Sequence, residues 1–118
     1  MAKTHWTREE NLLVVDEYFK MLEQQLADQS FVKLRVIERV QDATGRSKGS
    51  VESKFMNISA VLLENQIPYV RGYRPFKNYQ ASLATVVNEF LRTKPVLREL
   101  LTESVTRGAV PRTDLSGR

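Results

Sequence analysis

The chain has 118 residues, of which 42% are hydrophobic and 27% charged, with one histidine and no cysteine. That size and balance suit one globular domain around one core, and the lack of cysteine excludes disulfides, thiolate metal sites and cysteine nucleophiles. The net charge of +4 is unevenly spread: Arg46, Lys48, Lys54, Arg71, Arg74 and Lys77 face only Glu52 and Glu64 in residues 46–78, whereas residues 1–45 carry a slight acidic excess. A basic middle segment of this kind is a weak electrostatic footprint of a polyanion binder. No apolar run approaches the roughly 18 residues of a membrane helix, and Met1 to Trp6 lack the apolar stretch of a signal peptide. No membrane partner is therefore expected, and the cytoplasm is the expected location.

The first helix is predicted to begin at Arg8, because Thr7 followed by Glu10 forms a capping box that satisfies two backbone donors reciprocally. Leu12, Val15, Phe19, Leu22 and Leu26 recur at steps of three and four as its apolar stripe, leaving Glu9, Asp16, Glu17, Lys20 and Glu23 to water. Ser30 is the expected cap of a short second helix with Leu34, Ile37 and Val40 inward, and Gly45 supplies the left-handed residue that ends it. Ser47 then caps a third helix, in which Val51, Phe55, Ile58 and Leu62 form the core seam, running to about Leu63 or Asn65.

Pro68 stops that helix, and residues 67–77 read as an ordered loop in which Tyr69, Tyr73 and Phe76 alternate with Arg71, Arg74 and Lys77. Asn78 is the expected cap of a fourth helix with Leu83, Val86, Val87, Phe90 and Leu91 inward. Pro95 fits the first turn of a fifth containing Leu97, Leu100 and Leu101. From Thr106 onward periodicity is lost, so residues 1–105 are expected to form the helical domain and residues 106–118 a flexible tail or linker. The fold class is all-α, with a three-helix helix-turn-helix core extended by two C-terminal helices.

The third helix is the expected reader of DNA. Beside its core seam, Ser50, Ser53, Lys54 and Asn57 share a polar face nearly free of acid, with Asn suited to adenine edges and Lys to guanine or phosphate. Arg46 and Lys48 sit at the helix start, where positive side chains and the helix dipole together favour phosphate. Arg71, Arg74 and Lys77 form a second expected line of contact. Trp6 and the loop aromatics are read as packing anchors, with base stacking the alternative for the loop, and His5 as a solvated arm residue.

The segment Gly45-Arg46 followed by Val51-Glu52-Ser53-Lys54-Phe55-Met56-Asn57, together with the opening Trp6-Thr7-Arg8-Glu9-Glu10, resembles Myb/SANT and trihelix domains over about residues 5–63. Phe55 stands where those domains usually carry an aromatic residue, and their two further spaced tryptophans are absent. A second resemblance rests on residues 46–54, Asn57-Ile58-Ser59-Ala60-Val61-Leu62, Gly72-Tyr73-Arg74-Pro75 and Asn78-Tyr79-Gln80. Over about residues 6–92 the chain is similar to N-terminal modules that precede HNH-type, McrA-like restriction endonuclease regions in bacterial defence proteins. That resemblance implies binding of double-stranded DNA, with or without a modified base, on behalf of a downstream nuclease or effector domain.

No HNH motif occurs, so no catalytic residue is carried over. A lone histidine without cysteine cannot build the common zinc or nucleophile arrangements, and Glu9 and Glu10 are explained by capping. Neither catalysis nor a metal or cofactor is expected of this sequence. The rival reading is a helical protein-interaction or oligomerisation module that uses the exposed parts of the fourth and fifth helices.

Overall fold

The computed structural model describes residues 5–106, which form five helices: α1 (Arg8–Leu26), α2 (Lys33–Thr44), α3 (Lys48–Glu64), α4 (Ala81–Thr93) and α5 (Pro95–Thr106). Among the described residues there is no strand, so the chain is all-α. Thr106 closes α5, and the rest of the expected tail, residues 107–118, lies outside the described residues.

α1 is the central element and touches each of the other four helices. Its capping box forms as the sequence implies: the Glu10 N–H donates to Thr7 Oγ1 at 3.1 Å, and the Thr7 N–H donates to Glu10 Oε1 at 3.0 Å. Because neighbours cover it on two sides, α1 buries more than one stripe. Val14, Tyr18 and Met21 are fully enclosed beside Val15, Phe19, Leu22 and Leu26, while Leu12 is only half-buried. Glu17 departs from its expected solvated place for the same reason. It is buried against α2, where Arg39 Nη2 donates to its Oε1 at 2.9 Å.

α2 starts later and in a different register than its sequence pattern suggests. Ser30 does not cap it; Val32 does, without a side-chain bond, and Val36, Ile37 and Val40 face the core while Leu34 is 50% exposed. The shift follows from the end of α1, where Asp28 adopts a left-handed φ of 60° and the Gln29 N–H turns back to Gln24 O, so the next residues are spent crossing to the new helix. Gly45 ends α2 at φ 73°, a region that glycine enters without steric cost. The Ser47 hydroxyl caps α3 by accepting the Ser50 N–H at 3.2 Å.

Phe55 is the aromatic hinge of the core, with its ring 5.9 Å from Tyr18 and 5.1 Å from Tyr73. The Tyr18 hydroxyl lies 2.7 Å from Ser59 Oγ and accepts the Val70 N–H at 2.9 Å, so one buried oxygen joins α1, α3 and the loop after α3. α4 lies along α1, with Phe90 packed edge-on to Phe19 and Lys94, its C-cap, 3.6 Å from Asp16. α4 begins after Gln80, two residues beyond the expected Asn78 cap, because the Asn78 carbonyl is already engaged by α3.

Truncating Phe55 to Ala should cost about 3 to 5 kcal/mol in urea unfolding, whereas Leu34→Ala should change stability by no more than about 0.5 kcal/mol. A Phe55→Ala protein with unchanged melting would remove Phe55 from the centre of the core.

Alkaline pH offers a second measurement. Burial raises the Tyr18 phenol well above its ordinary value of 10.0, and burial with the nearby Glu52 charge pushes Tyr73 up to about 12. The folded protein therefore keeps two protons that the unfolded chain releases near pH 10. The stability linked to the Tyr73 proton is complete below pH 10 and is lost as pH rises through about 12, and the loss linked to Tyr18 continues to higher pH. Tyr73→Phe should flatten part of that alkaline loss.

Candidate nucleic-acid interface

The N-terminal turns of α1, α3 and α4 meet at one end of the bundle, around the segment His5-Trp6. Arg46, two residues ahead of α3, donates from Nη2 to Glu10 Oε1 of α1 at 2.8 Å and to the His5 carbonyl. Its guanidinium lies 4.7 Å from the centre of the Trp6 ring, and the Lys54 ammonium lies 5.1 Å from the same ring. His5 Nδ1 in turn pairs with the side chain of Gln80, the N-cap residue of α4, at 2.9 Å. Trp6 is thus a packed anchor, as expected, and His5 is an exposed residue that nonetheless ties two helix starts together.

A second feature restricts α3 from outside. Residues 76–79 lie across the outer face of its C-terminal half: the Phe76 N–H donates to Met56 O at 3.1 Å, Asn57 Nδ2 donates to Phe76 O at 2.8 Å, and the Tyr79 hydroxyl bonds Glu64. The approach to this strap is also fixed. Gln25 accepts the Arg71 N–H at 2.8 Å and donates to Tyr69 O at 3.0 Å. Lys33 donates to Arg71 O and sits 4.9 Å from the Tyr73 ring centre, in the space that a side chain at Gly72 would need.

These contacts sort the sequence-predicted site residues into two sets. Lys48, Ser53, Arg71, Arg74 and Lys77 are exposed, and Ser50 is half-buried at the α3 cap. Arg46, Lys54 and Asn57 are 6%, 7% and 6% exposed, which corrects their expected solvent-facing placement. Arg46 is held by Glu10, Lys54 lies under Trp6, and Asn57 anchors the strap. Burial, then the Arg46 charge, lowers the Lys54 pKa from the ordinary lysine value, and Glu10 opposes this in part.

What remains open on α3 is its first half. By helical periodicity Lys48, Gly49, Glu52, Ser53 and Met56 share one face, and none of them is fully buried. The strap adds Arg74 and Lys77, with Phe76 48% exposed between them. Arg71 stands apart, on a hollow lined also by Gln25, Phe31 and Lys33. Phe76 was not distinguished from its aromatic neighbours by the sequence pattern; its place between two cations in Arg74-Pro75-Phe76-Lys77 was the available signal.

Among the described residues no His, Cys, Asp or Glu group could hold a metal ion, and no helix is long and apolar enough to cross a membrane. No family model matches the chain, and no curated protein or solved structure matches it either.

The division between buried and exposed cations can be checked by stability alone. Arg46→Ala removes the buried guanidinium that compensates the Glu10 carboxylate and should cost about 3 to 5 kcal/mol, whereas Lys48→Ala should lie within about 0.5 kcal/mol of the parent. Equal thermal shifts for the two variants would contradict this assignment.

Proposed function

We propose that this chain is a duplex DNA-binding domain with a Myb/SANT-like helix-turn-helix core, α1 to α3, that presents the first half of α3 to the major groove. The observation that carries the reading is the exposed set of cations, Lys48 at the start of α3 and Arg74 and Lys77 on the strap bonded to α3 at Met56 and Asn57. Helix-turn-helix readers contact base edges with the N-terminal residues of the recognition helix, and that is the part of α3 left uncovered by the strap. Ser53 offers a hydroxyl to base edges there, while Lys48 and the strap cations suit phosphate, and Phe76 adds an aromatic face. In this reading the module serves a downstream nuclease or effector of the HNH-type restriction or related defence kind, as the sequence resemblance implies.

The internal engagement of Lys54 and Asn57 reassigns them from base readers to supports. Asn57→Ala is expected to lower stability by about 1 to 3 kcal/mol through the loss of its bonds to the strap.

A protein-interaction module is the second reading, and it draws on Val32 and Leu34, which are 61% and 50% exposed at the start of α2. Duplex binding measured at several salt concentrations separates the two. Lys48→Ala, Arg74→Ala and Lys77→Ala should each weaken binding to all duplexes and reduce the log–log salt slope by about one. Duplex affinity that is unchanged in all three, with a protein complex abolished by Val32→Ser and Leu34→Ser, would replace the DNA reading.

A further inference from the structure

A cleft between the first turns of α1 and α4 takes no part in that reading. It has a volume of about 240 Å³ and is lined by Arg8, Asn11, Ser82, Thr85 and Val86. Asn11 is 1% exposed, yet neither its Oδ1 nor its Nδ2 has a hydrogen-bond partner among the described residues. An unmet buried polar group costs about 1 to 3 kcal/mol, and a leucine at this position would avoid the cost. A carboxamide kept without a partner on the wall of a cleft points to a contact with something that enters the cleft. The larger hollow beside Arg71 differs in this respect, because Gln25 and Lys33 there are already bonded to the backbone of Tyr69 and Arg71.

The lining defines the guest. A carboxamide presents a donor and an acceptor side by side, so it pairs with a planar edge that offers an acceptor and a donor at the same spacing, as nucleobase edges do. Val86 supplies an apolar wall for a ring, and Ser82 and Thr85 supply hydroxyls at the exposed rim. The Arg8 side chain, 58% exposed and 3.1 Å from Glu89, is a cation at the same cleft that a phosphate can share. The volume lies below the 300 to 1,000 Å³ or so of ordinary ligand pockets and suits a single small ring system.

We propose that this cleft binds one nucleobase, edge-on to the Asn11 carboxamide, with the attached phosphate toward Arg8. The same chemistry is carried by a free mononucleotide and by an unpaired base of a strand; the second source rests on the DNA reading above, and the first does not.

The test is a nitrogen-15 NMR titration of the whole chain with AMP and CMP, with ribose 5-phosphate as the control. Either mononucleotide should shift the Asn11 side-chain amide pair and the backbone amides of Ser82, Thr85 and Val86 saturably, and ribose 5-phosphate should leave them in place. Asn11→Leu should weaken the effect at the remaining amides at least tenfold. Thr85→Phe, which fills the cleft from an exposed position, should do the same and replaces Asn11→Leu if that variant does not fold.

A duplex with one unpaired base that moves the Asn11 pair, where a fully paired duplex does not, identifies the strand as the source. Response to mononucleotides alone identifies the free ligand. The proposal is overturned if none of these moves the Asn11 pair, leaving water as its partner, if ribose 5-phosphate moves the same signals, or if the cleft variants bind as the parent does. The Lys48→Ala Lys77→Ala double variant should lose duplex affinity and keep the mononucleotide shifts, so this site and the α3 reading fail separately.

Discussion

The Arg46–Glu10 ion pair beneath Trp6 sets the geometry of the end of the molecule where three helices begin. Its two side chains are only 4% and 13% exposed, so each charge has given up most of its water and depends on the other for compensation. Glu10 is at the same time the third residue of the α1 capping box, and Arg46 also bonds the His5 carbonyl that precedes Trp6. The start of α1, the turn into α3 and the N-terminal arm are therefore joined through one carboxylate and one guanidinium. Moving the start of α1 or the turn into α3 would pull the two buried charges apart, which disfavours any other register. The Trp6 face adds a second cation, Lys54, and so closes the site against solvent.

This constraint has a direct consequence for nucleic-acid chemistry. Charges that hold the end together are not available to a polyanion, so in the proposed DNA-binding role the positive charge comes from side chains that the fold leaves outside. Lys48 is outside because it is the first residue of α3, ahead of the turn at which Val51 begins the core seam; Arg74 and Lys77 are outside because the strap turns its backbone inward. The strap is rigid for identifiable reasons: the Tyr18 hydroxyl holds the Val70 N–H at its root, Gln25 holds Arg71, and Asn57 holds the Phe76 carbonyl. A cation on a fixed backbone loses less freedom on meeting phosphate than one on a mobile loop. The hydrogen bonds inside the domain and the proposed phosphate contacts outside it are two results of one loop conformation.

Position along α1 separates the two proposed contact surfaces. The open half of α3 is bounded by the strap and by Trp6, while the Asn11 cleft lies where α4 begins beside α1. His5 connects these regions by joining Gln80, the cap of α4, to the backbone that receives Arg46. α1 serves both because it touches each of the other helices.

Local signals in the chain were enough for much of this. The capping box at Thr7 and Glu10, the Ser47 cap, the left-handed Gly45 and the Pro95 start were legible because each depends on a few neighbouring residues and on backbone geometry alone. The Val51, Phe55, Ile58 and Leu62 seam was legible for the same kind of reason, since one period describes one buried side. Periodicity failed where an element is covered from more than one direction. Glu17 is buried because α2 supplies Arg39, and Val36 replaces Leu34 in the core because the α1 exit delays the start of α2. For the site, the exposed placement of Lys48, Ser53, Arg74 and Lys77 followed from pattern, whereas the burial of Arg46, Lys54 and Asn57 did not. A wheel drawn on α3 assigns those three to a polar outer face. Only the folded chain brings Glu10 and Trp6 from one direction and the 76–79 backbone from another to cover that face, because the partners are 19 to 48 residues distant in sequence and no local period encodes their arrival.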